Sequence, residues 1–147
     1  MPSLNRSLNG IGRCGTLFRA KHLAGTGIGP CDHPYLFYIC HHPGVSQDEL
    51  GRALYVNKSS VTRHIAALER EGFLRREPCG EDRRVLRVYP TEKALEALPH
   101  LREVGAGWRE RLTAGFTPEE IALFEDLLAR ALVNAHAAVE GEDKLCD

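Results

Sequence analysis

No apolar run in this 147-residue chain approaches the roughly 20 residues that a membrane-spanning helix needs. The opening stretch MPSLNRSLNGIGRC also lacks a long apolar core, so no secretory signal is expected there. Cysteine is sparse and unpatterned, with five residues and no C-x-x-C. An odd, scattered set argues against a disulfide framework and for a reducing, cytoplasmic setting. Excess charge of either sign is missing as well. Nineteen Lys and Arg stand against 20 Asp and Glu, for a net charge of −1. A polyanionic partner must therefore be met by local charge, not by the field of the whole molecule. There is no internal repeat, low-complexity tract or long linker, and the length suits one domain with a sizeable core. No Ser/His/Asp order, phosphate-cradling glycine loop or paired-carboxylate pattern appears, so neither an enzyme nor a cofactor is expected.

One absence is local. From Gly51 to Leu68 there is not a single Asp or Glu. Just before this window, Ser46-x-x-Glu49 forms a capping box that opens a helix to about Leu54. Asn57 then caps a second helix, which runs to about Glu71 with Gly72 at its C′ position. Val61, Ile65 and Leu68 share one side of that helix, while a turn of about 100° per residue puts Ser59, Arg63 and Ala66 opposite, flanked by Ser60 and Thr62. A face of hydroxyl and cationic groups suits the groove of a polyanion. The strand-like stretches Phe73–Pro78 and Arg83–Tyr89, separated by Cys79-Gly-Glu-Asp82, read as a β-hairpin.

The flanks read as helices. Residues 4–24 carry Leu4, Leu8, Ile11, Leu17, Phe18 and Leu23, interrupted by glycines at 10, 12 and 15. After the glycine-rich break 25–30, Asp32 is placed to N-cap a short helix over 33–42, which Pro43-Gly44 ends. A further helix starts at Thr91 and reaches about Thr113, with Pro99, Gly105 and Gly107 as points of bending. Thr117-Pro-Glu-Glu120 opens the last helix, with apolar Ile121, Phe124, Leu128, Leu132 and Ala135. The tail GEDKLCD is expected to fray.

Helix, turn, helix and hairpin in this order is a winged helix-turn-helix, whose second helix enters the major groove of DNA and whose wing reaches the adjacent minor groove. In that frame Ser59, Ser60 and Thr62 can bond phosphates or base edges, and Arg63 can contact guanine bidentately. Ser46, Asn57 and Lys58 stand at helix starts, where exposed amides suit a phosphate. Asp82 and Arg84 are two apart, so on a strand they share a face, and the Asp82 carboxylate would brace the Arg84 guanidinium for a narrow minor groove. Arg83 and Arg87 add positive charge nearby. The bland counterparts are a solvated helix face and an ordinary surface ion pair.

These residues carry a family resemblance. Lys58-Ser59-Ser60-Val61-Thr62-Arg63, Leu68-Glu69, Gly72, Arg75-Arg76, Asp82/Arg84 and Thr91-Glu92-Lys93 resemble, in order and spacing, the core of the MarR family of bacterial transcriptional regulators. The resemblance is strongest over about 45–93. Pro90, where the family usually has Leu, and Ala94, where Gly is common, depart from it past the wing. The resemblance implies a mainly α fold with a small β-hairpin wing. It implies a single domain over 1–147, with residues 1–45 and 91–147 forming a helical dimerisation lobe and 46–90 the DNA-binding lobe. It further implies a homodimeric repressor on a pseudo-palindromic double-stranded operator, answering a small-molecule or redox signal. The apolar last helix independently invites a two-fold interface.

Several residues are candidates for that signal. Tyr35, Phe37, Tyr38, His42 and Trp108 could line a pocket for a small aromatic effector, or pack a dimer core. Cys14, beside Arg13, is the candidate redox thiol, and Cys79 is an exposed thiol at the wing tip. Cys146 is assigned no role. Zinc is a further alternative, using Cys31, His41 and His42 and closed by His100 or Glu103. Consecutive helical residues diverge by about 100°, so Cys40, His41 and His42 cannot all converge, and Cys40 reads as core beside Leu36 and Ile39. A winged helix used as a protein-interaction module without DNA is the competing class.

Overall fold

A computed structural model of the chain describes the backbone of residues 3–143 and the side chains of residues 3–140. Helix α1 (Leu4–His22) is followed by α2 (His33–His41), the short strand β1 (Val45–Ser46), α3 (Gln47–Leu54) and α4 (Lys58–Arg70). Strands β2 (Leu74–Pro78) and β3 (Leu86–Pro90) then lead to α5 (Glu92–Leu112) and α6 (Pro118–Asp143). Cys146 and the end of the tail lie outside the described residues; before them, α6 stays helical to Asp143, further than the expected point of fraying. The chain divides into two compact units, Met1–Trp108 and Arg109–Asp147.

In the first unit the sheet has the order β1-β3-β2, antiparallel throughout, with Val45 opposite Val88 and Arg76 opposite Val88 from the other side. The hairpin was legible in the sequence, but β1 was not: two residues cannot show an alternation, and only the long-range pairing with β3 makes them a strand. The wing strands are also shorter than expected, leaving residues 79–85 as the tip. The core beneath the sheet collects Leu36 and Ile39 of α2, Leu50 of α3, Val61, Ile65 and Leu68 of α4, Phe73, Val88 and Leu101, all at 2% exposure or less. Helix α2 packs on α3, α4 and β3, so the packing runs across residue 45. Helix α5 continues through Pro99.

His33 ties α2 to α5. A carbonyl can only accept, so His33 Nε2–H donates to the Leu101 oxygen at 2.9 Å. The ring also stacks on Phe37. Burial pushes the His33 pKa below the ordinary histidine value; the Leu101 contact opposes this, and the charges of Arg19 and His100 reinforce it. The unfolded chain therefore takes up the proton first as pH falls. The stability His33 contributes is complete above about pH 6.5 and drains away below it, toward the lower folded value. Urea unfolding between about pH 7.5 and about pH 5 should show this loss, and His33→Gln, which keeps a donor but does not titrate, should flatten it. Superimposable pH profiles for the two proteins would remove His33 from the account.

In the second unit, the Thr117 N–H donates to Glu120 Oε2 at 2.8 Å and the Glu120 N–H to the Thr117 hydroxyl at 3.2 Å, the reciprocal cap expected from the sequence. Arg109 pairs with Glu125 at 2.5 Å. Along α6, Leu123, Leu127, Leu132, Val133 and Val139 stand 48–64% exposed.

Candidate nucleic-acid interface

The start of α4 is built by Asn57. Its Oδ1 accepts the Ser60 N–H at 2.8 Å and the Ser59 hydroxyl at 2.9 Å. The turn before it is tight. Tyr55 adopts left-handed φ 56°, and a Cβ on Gly51 would sit 3.2 Å from the Val56 carbonyl oxygen and 3.4 Å from Val61 Cγ2. Glycine at 51 thus lets α3 approach the turn closely and sets the crossing of the two helices. With Val61, Ile65 and Leu68 buried, the opposite face exposes Lys58, Ser59, Thr62 and Arg63. Ser60 is half-buried beside them. Thr62 donates to the Lys58 carbonyl at 3.0 Å and receives Gln47 Nε2 at 3.4 Å, which links α4 to the first turn of α3. A cleft of about 170 Å³ lies between these two helix starts and the wing, bounded by Ser46, Asp48, Lys58, Thr62 and Arg84.

The distribution of ion pairs sorts the cations. Arg75 pairs with Glu77, Arg76 with Glu69 at 2.6 Å, and Arg87 with Glu49 at 3.5 Å. Lys58, Arg63, Arg83 and Arg84 are exposed and have no ion-pair partner among the described residues. Four cations without such a partner thus stand on the outer face of α4 and at the wing tip; Arg52 and Arg70, in the last turns of α3 and α4, are exposed and without an ion-pair partner among the described residues as well.

Two of the expected contact residues are engaged within the chain, Ser46 in the capping box the sequence predicts and Asp82 in a local turn. Ser46 is 8% exposed. Its hydroxyl accepts the Glu49 N–H at 3.2 Å while its own N–H donates to Glu49 Oε2 at 2.8 Å, so its side chain holds the start of α3. Those hydrogen bonds, with Arg87 nearby, hold the Glu49 carboxyl below the usual range. Asp82 does not brace the Arg84 guanidinium from a strand. It lies in the tip, where Oδ1 accepts the Arg84 backbone N–H at 3.0 Å and the Asp82 carbonyl accepts Val85 N–H at 3.0 Å. A short carboxylate next to free amides favours a local turn over strand extension. Arg84 is thus set by its backbone, with its side chain outward.

The signal candidates are distributed as follows. Cys14 and Cys31 are exposed, and Cys40 is buried, which pushes its thiol pKa up. Cys79 is drawn below the usual thiol range by the N–H groups of Glu81 and Asp82 and by Arg87. Among the described residues no three His, Cys, Asp or Glu side chains assemble as a metal site. The zinc arrangement of Cys31, His41 and His42 is therefore not formed. His41 and His42 turn Nδ1 back onto their own helix, to the carbonyls of Phe37 at 2.8 Å and Tyr38 at 3.0 Å, and Arg102 donates to His41 Nε2 at 3.3 Å. His100 instead meets the His22 carbonyl at 2.8 Å. The aromatic set is engaged in ring contacts: Tyr35 on His64 at 4.5 Å, Phe37 on His41 at 4.5 Å as well as on His33, Tyr38 on His42 at 4.1 Å, and Trp108 on Phe18 at 5.5 Å.

A polar contact near α4 was not foreseen from the sequence. Asp32, expected to cap α2, makes no cap hydrogen bond. Its carboxylate instead meets His64 of α4 at 2.5 Å, 32 residues away, and the two side chains are each 15% exposed. No local spacing signals such a pair.

Known proteins share this architecture. The MarR family model matches residues 26–85. The chain is 33% identical over 100 residues to the uncharacterized HTH-type transcriptional regulator YybA of Bacillus subtilis (strain 168), a stretch covering 68% of this chain and 67% of that protein. A crystal structure of MarR aligns at 29% identity with a TM-score of 0.80, over 96% of this chain and 95% of the other. A MarR family transcriptional regulator from Listeria monocytogenes, solved in complex with 26mer DNA, aligns with a TM-score of 0.90 over 98% and 96% of the two chains; at 22% identity this is a likeness of fold. Motif order, wing topology and sequence identity agree, and the chain belongs to the MarR family, whose members are transcriptional regulators and not enzymes.

Proposed function

We propose that this chain is a sequence-specific double-stranded DNA-binding repressor that acts as a homodimer on a pseudo-palindromic operator. The observation that carries the reading is the set of uncompensated cations, Lys58 and Arg63 on the outer face of α4 and Arg83 and Arg84 at the wing tip. They stand beside the exposed hydroxyls of Ser59 and Thr62, with Ser60 at their edge. Helix α4 enters the major groove, where Arg63 reads a guanine, Lys58 and the capped helix start hold phosphate, and Arg84 reaches a narrow minor groove. The Listeria protein complexed with DNA supports this use of the fold.

A two-fold dimer gives the exposed apolar residues a partner. Leu4 and Leu17 of α1 are 74% and 69% exposed, and the leucines and valines of α6 are similarly open. Residues 1–45 and 91–147 then serve dimerisation and 46–90 serve DNA. No described helix is long and apolar enough to cross a membrane, and a cytoplasmic repressor fits that. Its signal is a small molecule or an oxidant, taken up through the region of Tyr35, Tyr38, His42 and Trp108 or at Cys14.

Selection of bound duplexes from a random pool tests the reading, since a DNA-binding repressor recovers a two-fold sequence and an interaction module recovers none. Arg63→Ala should cost about 1–3 kcal/mol on the recovered duplex and relax the preference at one base position of each half-site. Equal losses on recovered and random DNA would show that Arg63 does not read a base.

A further inference from the structure

We infer that Asp32 and His64 form a clamp that fixes the setting of α4 for DNA, which makes both of them positioning residues for operator binding. The inference rests on the DNA-binding reading of α4. The helix start of α2 is where an aspartate would ordinarily serve as a cap, yet here it makes no cap bond. One carboxylate oxygen takes Nδ1 of His64 at 2.5 Å, and the other takes the Gly29 N–H at 3.1 Å. The imidazole is stacked on Tyr35 at 4.5 Å, and Tyr35 is itself 5% exposed.

The far side of the clamp is anchored. The loop that carries Asp32 buries Ile28, and Arg19 of α1 donates to the Pro30 carbonyl at 2.8 Å. The near side is next to the chemistry. His64 follows Arg63, and it lies on the same side of α4 as Val61 and Leu68, at the border between the buried and the outer face. Apolar packing of Val61, Ile65 and Leu68 holds α4 down but is non-directional. A short hydrogen bond between two part-buried polar groups is directional, and with the Gln47–Thr62 and Arg76–Glu69 contacts it distinguishes one rotation of the helix from its neighbours. Affinity for a specific duplex scales with the fraction of molecules whose α4 is set correctly. Attraction to any phosphate backbone comes from Lys58, Arg83 and Arg84, which the clamp does not touch.

The test uses the full chain, the duplex recovered by selection with the wild type, and a random-sequence duplex. Asp32→Ala and His64→Leu should each weaken binding to the recovered duplex about ten-fold, the loss expected if about one molecule in ten keeps the productive setting. Both should bind random DNA within about two-fold of wild type, since that binding is set by phosphate charge. The double variant should be no weaker than either single one. His64→Asn, whose amide places a donor near the position of Nδ1, should recover most of the loss. Thermal melts establish which variants are folded, and the contrast of His64→Leu with His64→Asn carries the test if Asp32→Ala does not fold. Unchanged binding to the recovered duplex, equal losses on both duplexes, or fully additive losses in the double variant would each overturn the clamp. A wild type that recovers no DNA overturns the DNA reading itself, and the clamp with it.

Discussion

Raising monovalent salt from about 50 to about 200 mM is expected to weaken binding to the recovered duplex roughly a thousand-fold. The chain carries a net charge of −1, so no general attraction supplies this dependence. It comes from the cations that have no carboxylate beside them. Of the exposed cations without an ion-pair partner among the described residues, Lys58, Arg83 and Arg84 are counted, and the proposed dimer presents six such charges; Arg63 is assigned to a base edge, and Arg52 and Arg70 sit in the last turns of α3 and α4. Each neutralised phosphate releases condensed counterions, and six give a slope of log affinity against log salt of about −5. Arg75, Arg76 and Arg87 are left out because Glu77, Glu69 and Glu49 already answer them. A slope near −10 would mean that those pairs open on DNA and add their charges. A slope near zero would end the case for a phosphate-tracking surface. Arg84→Ala should make the slope shallower by about two, one charge being lost from each copy. It should also weaken binding most on duplexes with A·T-rich flanks, where the narrow groove attracts a guanidinium most strongly.

The parts of the fold that could be read in advance are those written in local spacing. Ser46 with Glu49, Asn57, Thr117 with Glu120 and Gly72 each act within one helical turn, and the structure uses all of them as helix boundaries. Val61, Ile65 and Leu68 were legible for the same reason: a period of about 3.6 residues identifies a buried face before its neighbours are known. What the sequence concealed depends on competition between partners. Asp32 had a nearby helix to cap and a distant histidine to bind, and the histidine took it. Asp82 had a guanidinium and a backbone amide within reach, and the amide, fixed in place by the turn, took it. His41 and His42 had a hypothetical metal and real carbonyls one turn back on the same helix. In each case a polar side chain has more than one chemically sound use, and the backbone path decides. Two residues of β1 were hidden because their strand character exists only in pairing with β3.

Phe73→Ala should be the most damaging single truncation in the DNA-binding region, costing about 3–5 kcal/mol of folding stability. The residue is 2% exposed and is the largest of the fully buried side chains. Its position explains why the loss should fall at the high end. Helix α4 ends in a Schellman motif. Gly72, at φ 80°, donates to the Glu69 carbonyl at 3.0 Å, and Phe73 donates to the Leu68 carbonyl at 2.9 Å. Phe73 and Leu68 are thus the apolar pair that accompanies such a cap, and both belong to the buried cluster. The same residue begins the wing, since its carbonyl accepts the Thr91 N–H at 3.0 Å where the hairpin returns. Lys93 covers the ring, with Nζ 4.4 Å from its centre and bonded to the Glu71 carbonyl at 2.6 Å. Alanine would open a cavity under three elements at once and leave the lysine without its aromatic partner. At fixed protein concentration the melting temperature should fall by about 10 °C, given the usual scaling for a chain of this size. Phe73→Leu should cost well under half as much, because a branched aliphatic side chain fills most of the volume. A loss below about 1 kcal/mol for the alanine variant would mean that the cavity collapses, and that α4 and the wing are held together by the backbone hydrogen bonds of the cap alone.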